Sequence, residues 1–200
     1  MKSKQNPLIS IIIPTFNHGN FLKKAIDSII NQSFKNWEAI VVDNHSTDKT
    51  SEIINRYKDP RIKYLKIQNG GIIAKSRNLG LKISKGNWIA FLDSDDWWTK
   101  DKLEFCSRYF NDNVDLIYHK LEIVYKSAKF AFKKKKSVGR FLNKPILKDL
   151  LVTVIWNGSA IGNSSVLVRK KILDEIGGID EDKDLVASED FNTWLRIAKV

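Results

Sequence analysis

A single cysteine, Cys106, stands in 200 residues, so the chain has no intrachain disulfide framework and no cysteine zinc site, a usage that fits a reducing compartment. The expectation for that thiol is a core-facing helix position. His18, His45 and His119 have no metal-ligand spacing, which argues against a catalytic zinc. Neither G-x-x-x-x-G-K-[ST] nor G-x-G-x-x-G occurs, so an NTPase P-loop and a dinucleotide fingerprint are both absent. No apolar run reaches the ~18 residues that a membrane span requires, and the run from Leu8 to Ile13 is too short for the apolar region of a signal peptide. No repeat of about 20–50 residues is present, which removes solenoids and propellers. These absences lead to the expectation of a soluble, cytoplasmic chain.

What is present is enough chain for one domain with a substantial core. A hydrophobic fraction of 42% and six tryptophans argue against disorder. The formal net charge of +11 calls for an anionic partner, with nucleic acid, a membrane surface and phosphorylated substrates all qualifying.

Apolar runs alternate with helical patterns through residue 92. Leu8 to Ile13 reads as a buried strand, and Phe21, Leu22, Ala25, Ile26, Ile29 and Ile30 mark an amphipathic helix over residues 20–32. Trp37 to Val42 predicts a second strand ending at Asp43, followed by N-cap residues Ser46, Thr47 and Asp48 and a helix to about Tyr57. Ile62 to Ile67 reads as a third strand, Asn69-Gly70-Gly71 as a tight turn, and residues 72–84 as a helix. The expected architecture is an α/β doubly wound, mostly parallel sheet flanked by helices.

Beyond it, Leu103, Cys106, Tyr109 and Phe110 mark a helix, and Val114 to Tyr118 and Leu121 to Tyr125 read as strands. Residues 126–148 are strongly basic and read as a surface loop, with Phe130, Phe132 and Phe141 interleaved. Apolar residues from Ile146 to Ile155 then predict a helix, Val166 to Val168 a strand, Lys170 to Ile176 a short helix, and Ser188-Glu189-Asp190 the start of a last helix. That pattern is still running at Val200, so a piece of a longer protein is expected.

The chain is organised around residues 88–98, where an apolar strand ends in Asp93-Ser94-Asp95-Asp96. The carboxyl ends of strands in open α/β sheets are where ligands bind. Three carboxylates within four residues repel one another unless a cation or hydrogen bonds compensate, and oxygen donors suit magnesium or manganese. A solvated acidic turn capping the next helix is the alternative.

Four elements coincide: Pro14-Thr15-Phe16-Asn17 after the first strand, Asp43 after the second, the acidic turn after the central strand, and Glu189-Asp190 opening the last helix. In this order and at these separations they resemble the inverting glycosyltransferase family 2, with its GT-A fold, over about residues 8–198. The resemblance implies one GT-A domain, with residues 1–7 as a tail, 8–98 as a nucleotide-sugar-binding half and 99–200 as an acceptor-side half. It assigns Asp43 to the imide N–H of uracil or thymine, against a plain capping role. Thr15 and Phe16 border the base, although Phe16 also suits the core. Arg77 is aimed at phosphate or base through paired donors, against an exposed helix arginine.

In the family's D-x-D pattern Asp95 is the direct ligand of Mn2+ or Mg2+. Asp93 then lies near the ribose or metal water, Ser94 lies beside the nucleotide sugar, and Asp96 is in support. Asp190 matches the general base of the E-D motif, with Glu189 positioning the acceptor; an acidic helix turn favoured by the macrodipole is the alternative.

The implied partners are a nucleoside-diphosphate sugar, uridine preferred, and a glycan or lipid-linked acceptor. Peripheral contact with the inner face of a membrane would run through the basic loop. A sugar-phosphate nucleotidyltransferase lacks its glycine-rich loop here, and a nucleic-acid-binding module is opposed by the acidic cluster. A fold that binds sugar nucleotides without turnover completes the rival readings.

Overall fold

A computed structural model describes residues 8–119, 121–122 and 161–200. The expected tail at 1–7, the basic stretch at 126–148 and the helix from Ile146 lie outside the described residues, as does most of the strand expected from Leu121. The first half alternates as its apolar periodicity predicts: β1 (Ile9–Thr15), α1 (Gly19–Ile30), β2 (Trp37–Asp43), α2 (Thr50–Asn55), β3 (Ile62–Lys66), α3 (Ile73–Ile83) and β4 (Trp88–Phe91). There follow α4 (Lys102–Ser107), β5 (Leu116–Ile117), β6 (Leu167–Arg169), α5 (Lys170–Glu175) and α6 (Glu189–Ile197).

One six-stranded sheet runs in the order β3-β2-β1-β4-β6-β5. β3, β2, β1 and β4 are parallel, while β6 is antiparallel to both β4 and β5. Both faces are covered, so each buried strand sends alternate residues into two cores. Ile9, Ile11 and Ile13 join Leu22 and Ile26 of α1, Ile54 of α2 and Leu103 of α4 on one face. Ile12, Ile89 and Phe91 join Ala74 of α3, Leu173 of α5 and Trp194 of α6 on the other.

At the amino ends of the strands the buried Glu38 carboxylate accepts from Ser10 Oγ, Lys63 Nζ and Lys85 N, each at 2.7 Å. Burial alone would raise this carboxyl, but those donors outweigh it and hold the group below the usual carboxylate range. At the opposite, carboxyl ends, the chain passes from β1 outward to β3 and returns on the other side of β1 as β4. The switch point between β1 and β4 is therefore where a ligand crevice is expected.

Two aromatic assignments differ from expectation. Phe21 is 37% exposed because it sits on the shoulder of the α1 stripe formed by Leu22, Ala25, Ile26 and Ile29. α4 ends at Ser107, so Tyr109 falls beyond its apolar face and is exposed, whereas Phe110 stacks on Trp88 at 4.2 Å. Cys106 is buried, as expected.

Candidate active site

The loop after β1 is fastened to the loop after β2. Asn17 adopts φ 53°, a left-handed conformation that asparagine tolerates. Its N–H donates to Ser46 Oγ at 2.8 Å and its Oδ1 accepts from Thr47 N at 2.8 Å. Asp48 closes the same corner, accepting from Gly19 N at the start of α1 and from Thr50 N at the start of α2, each at 2.9 Å. These contacts hold Thr15 and Phe16 at the rim of a cleft of about 360 Å³, which Asn44, Asn69, Arg77, Asp93, Ser94 and Asp95 also line.

Asp43 is not among the lining residues. Its carboxylate is fully buried, with Oδ1 accepting from Ser46 N at 2.9 Å and Ser46 Oγ at 2.5 Å and Oδ2 from Tyr64 Oη at 2.5 Å. Burial and that bond push the Tyr64 hydroxyl up to about 12. The neighbouring Asn44 faces the cleft instead. Its Oδ1 accepts from Asn69 N at 2.9 Å, which assigns the amide orientation and leaves Nδ2 as the remaining donor.

The acidic turn after β4 is braced from two sides. Asp93 N donates to Ser164 Oγ at 3.0 Å, and Trp98 Nε1 donates to Ser164 O at 2.7 Å. Buried Ser94 pairs through Oγ with His18 Nδ1 at 2.8 Å. Asp96 is half-buried, and its carboxyl is raised by burial and by the charges of Asp93 and Asp95, against a hydrogen bond from Ser164.

Arg77, 3% exposed on α3, joins this turn to α6: Nη1 donates to Glu189 Oε1 at 2.6 Å and Nη2 to Asp93 Oδ1 at 3.0 Å. The expected exposed-arginine alternative is thereby removed. Asp190 follows on the first turn of α6, half-buried, its Oδ1 accepting from Phe191 N at 2.7 Å. Burial raises its carboxyl above the usual range, as do the charges of Glu189 and Asp93; the Phe191 N–H and Arg77 act in the opposite sense.

Among the described residues no three metal-ligating side chains are gathered into one cluster. Asp95 is exposed at the cleft, and Asp93 keeps Oδ2 free of Arg77. Magnesium-type ions are bound through one or two carboxylates together with substrate phosphates, so this pair of oxygen donors fits such an ion.

The sequence model of glycosyl transferase family 2 matches residues 10–177. The chain belongs to glycosyl transferase family 2. The UDP-Glc:alpha-D-GlcNAc-diphosphoundecaprenol beta-1,3-glucosyltransferase WfgD of Escherichia coli is 31% identical to it over 193 residues, 96% of this chain and 70% of that protein. The structure of S. aureus TarS 1-349 in complex with UDP superposes with a TM-score of 0.74 at 24% identity, covering 95% of this chain and 54% of that one. The mannosyltransferase PcManGT from Pyrobaculum calidifontis, in complex with GDP-Man and Mn2+, superposes with a TM-score of 0.70 at 18% identity, covering 98% of this chain and 53% of that one. This family 2 glycosyltransferase therefore has the expected GT-A fold, and it spans about half the length of those solved structures.

Of the residues named from sequence, the family 2 fold brings Thr15, Phe16, Arg77, Asp93, Ser94 and Asp95 to one cleft and links Glu189 to it through Arg77. His18, Asn44 and Ser164 were not singled out for the site. His18 and Asn44 lie in the turns directly after β1 and β2, which is the signal that points to them; Ser164 had none, being one small residue in a run of small residues.

Proposed function

We propose that this chain transfers a sugar, with inversion, from a UDP-sugar to a hydroxyl of a lipid-linked saccharide. The observation that carries this reading is the Arg77 bridge, which brings the Glu189-Asp190 turn, 112 residues along the chain, to the acidic turn at the switch point of the sheet. The named activity of WfgD and the UDP complex of TarS support the donor and acceptor classes.

The base would be held at the rim formed by Thr15, Phe16 and Asn44. The free amide N–H of Asn44 suits the carbonyl oxygens of uracil, and the buried Thr15 Oγ1, without a partner among the described residues, is a further donor or acceptor. Asp43 would act from behind by holding Ser46 and Tyr64. A divalent ion held by Asp95 and Asp93 would supply Lewis-acid stabilisation of the departing diphosphate. Asp190 takes the proton of the acceptor hydroxyl as that oxygen bonds to the anomeric carbon and the carbon–diphosphate oxygen bond breaks on the opposite face. Its raised carboxyl lies closer to the acidity that a general base needs. Among the described residues no helix is long and apolar enough to cross a membrane. A lipid-linked acceptor would be met at the membrane surface.

Thermal shifts with UDP, dTDP, GDP and ADP, each with and without Mn2+, test this reading. UDP with Mn2+ at 100 times its dissociation constant is expected to stabilise the fold by about 2.7 kcal/mol, a rise of roughly 5–10 °C. Asp95→Ala should remove the metal-dependent part, and Asp190→Asn should keep the shift while turnover falls about 10²–10⁴-fold. A larger shift with another nucleotide would overturn the base assignment.

A further inference from the structure

We infer that His18 is a ligand of the donor's diphosphate, giving its Nε2–H to a phosphate oxygen, an inference that rests on the glycosyltransferase reading of the site. The imidazole lines the cleft together with Asp93, Ser94 and Asp95. Its Nδ1 lies 2.8 Å from the hydroxyl of Ser94, the residue between the two carboxylates proposed to hold the divalent ion. Ser94 is buried, so the ring is docked on the acidic turn itself.

The residue is fixed at both its backbone and its ring. The backbone carbonyl of His18 accepts from Phe21 N at 2.9 Å and from Leu22 N at 2.8 Å, which anchors it on the first turn of α1. The Phe21 ring meets the imidazole edge-on, with centroids 5.7 Å apart and planes at 68°. With Nδ1 engaged, Nε2 is the polar atom that the ring can offer a ligand. A serine hydroxyl serves as donor or acceptor, and a neutral imidazole carries its proton on either nitrogen. An anion at Nε2 selects the form in which Ser94 donates to Nδ1 and Nε2 carries the proton.

A diphosphate brought to Asp93 and Asp95 meets two carboxylates, so donors beside them are needed to offset the repulsion. The side chain of Asn69 is already spent, since Nδ2 donates to Ser76 Oγ and Oδ1 accepts from Gly71 N. His18 reaches the acidic turn from the α1 face of the sheet, whereas Arg77 reaches it from the α3 face. An N–H already locked in place stabilises charge growing on a leaving group without having to reorganise during the reaction.

The test separates the two ring nitrogens. Glutamine places its amide near the position of Nε2 and gives up the bond to Ser94, whereas asparagine places it near Nδ1 and gives up the donor to the cleft. In the full-length protein with Mn2+, calorimetry should show UDP affinity about 10-fold or more weaker in His18→Asn and within about 3-fold of wild type in His18→Gln. Urea midpoints of the free protein should fall in the opposite order, with His18→Gln the lower, because it is the variant that loses Ser94. Equal affinity losses in the two variants, full affinity in His18→Asn, or affinities that follow the urea midpoints would overturn the inference and leave His18 a brace for the turn. Absence of UDP binding by the cooperatively folded wild type would instead reject the proposed function, and this inference with it.

Discussion

At Asp190 and Lys102 burial acts on charges of opposite sign. The carboxyl of Asp190 is raised, so a base located there is switched off as pH falls at a point above that of an ordinary aspartate. The Lys102 ammonium is pushed from 10.5 down to about 7 by burial, and its Nζ has no hydrogen-bond partner among the described residues. Its compensation is the Trp98 ring, whose centroid lies 3.5 Å from Nζ. Because the folded pKa is lowered, the folded state holds fewer protons than the unfolded chain between about pH 7 and 10.5. Stability should therefore rise with pH through that window, with the penalty fully present below it. The shift corresponds to a penalty on the order of a few kcal/mol on the charged form. Lys102→Met is expected to stabilise the fold by about 2–3 kcal/mol at pH 6 and by much less at pH 10, read from urea unfolding at both values.

The elements of the first half were legible because each carries its own period. Strand runs such as Ile11–Ile13 and Ala39–Val42 are apolar, and α1 keeps a stripe at helical spacing. Boundaries moved by a residue or two, and the strand expected at Val114–Tyr118 shrinks to the two residues of β5, since only Leu116 and Ile117 pair with β6. Gly80, inside α3, and Gly86, in the turn before β4, differ in what they meet. A Cβ on Gly80 would lie 2.6 Å from Cγ2 of Ile12, a β-branched side chain that is itself fully buried. A Cβ on Gly86 would lie 2.5 Å from Ser10 N, in the backbone of β1 itself. Gly86→Ala should cost about 2–3 kcal/mol and Gly80→Ala about 1–3, compared by denaturant midpoints at unchanged slope.

At the scale of the molecule, β4 pairs in parallel with β1 and antiparallel with β6, so it belongs to both halves of the chain. Ser164 and Glu189, from the second half, complete the acidic turn of the first. Residues 8–98 and 99–200 are therefore expected to unfold together. Tryptophan fluorescence and far-UV circular dichroism should trace one coincident transition, and two separated transitions would mean two units.

The sequence by itself determined the strand–helix alternation, the lone buried thiol and the small set of turns that hold the site. Those follow from apolar periodicity and turn chemistry, which act over a few residues. Only the tertiary structure decided which side chains at the strand ends meet the cleft. A strand turns adjacent residues to opposite sides, so Asp43 is sealed against Ser46 and Tyr64 while Asn44 reaches the cleft. Nothing local in the sequence shows which charges Arg77 meets. Sheet order brings Asp93 and Glu189 to it from distant parts of the chain, and a buried guanidinium binds the carboxylates it meets.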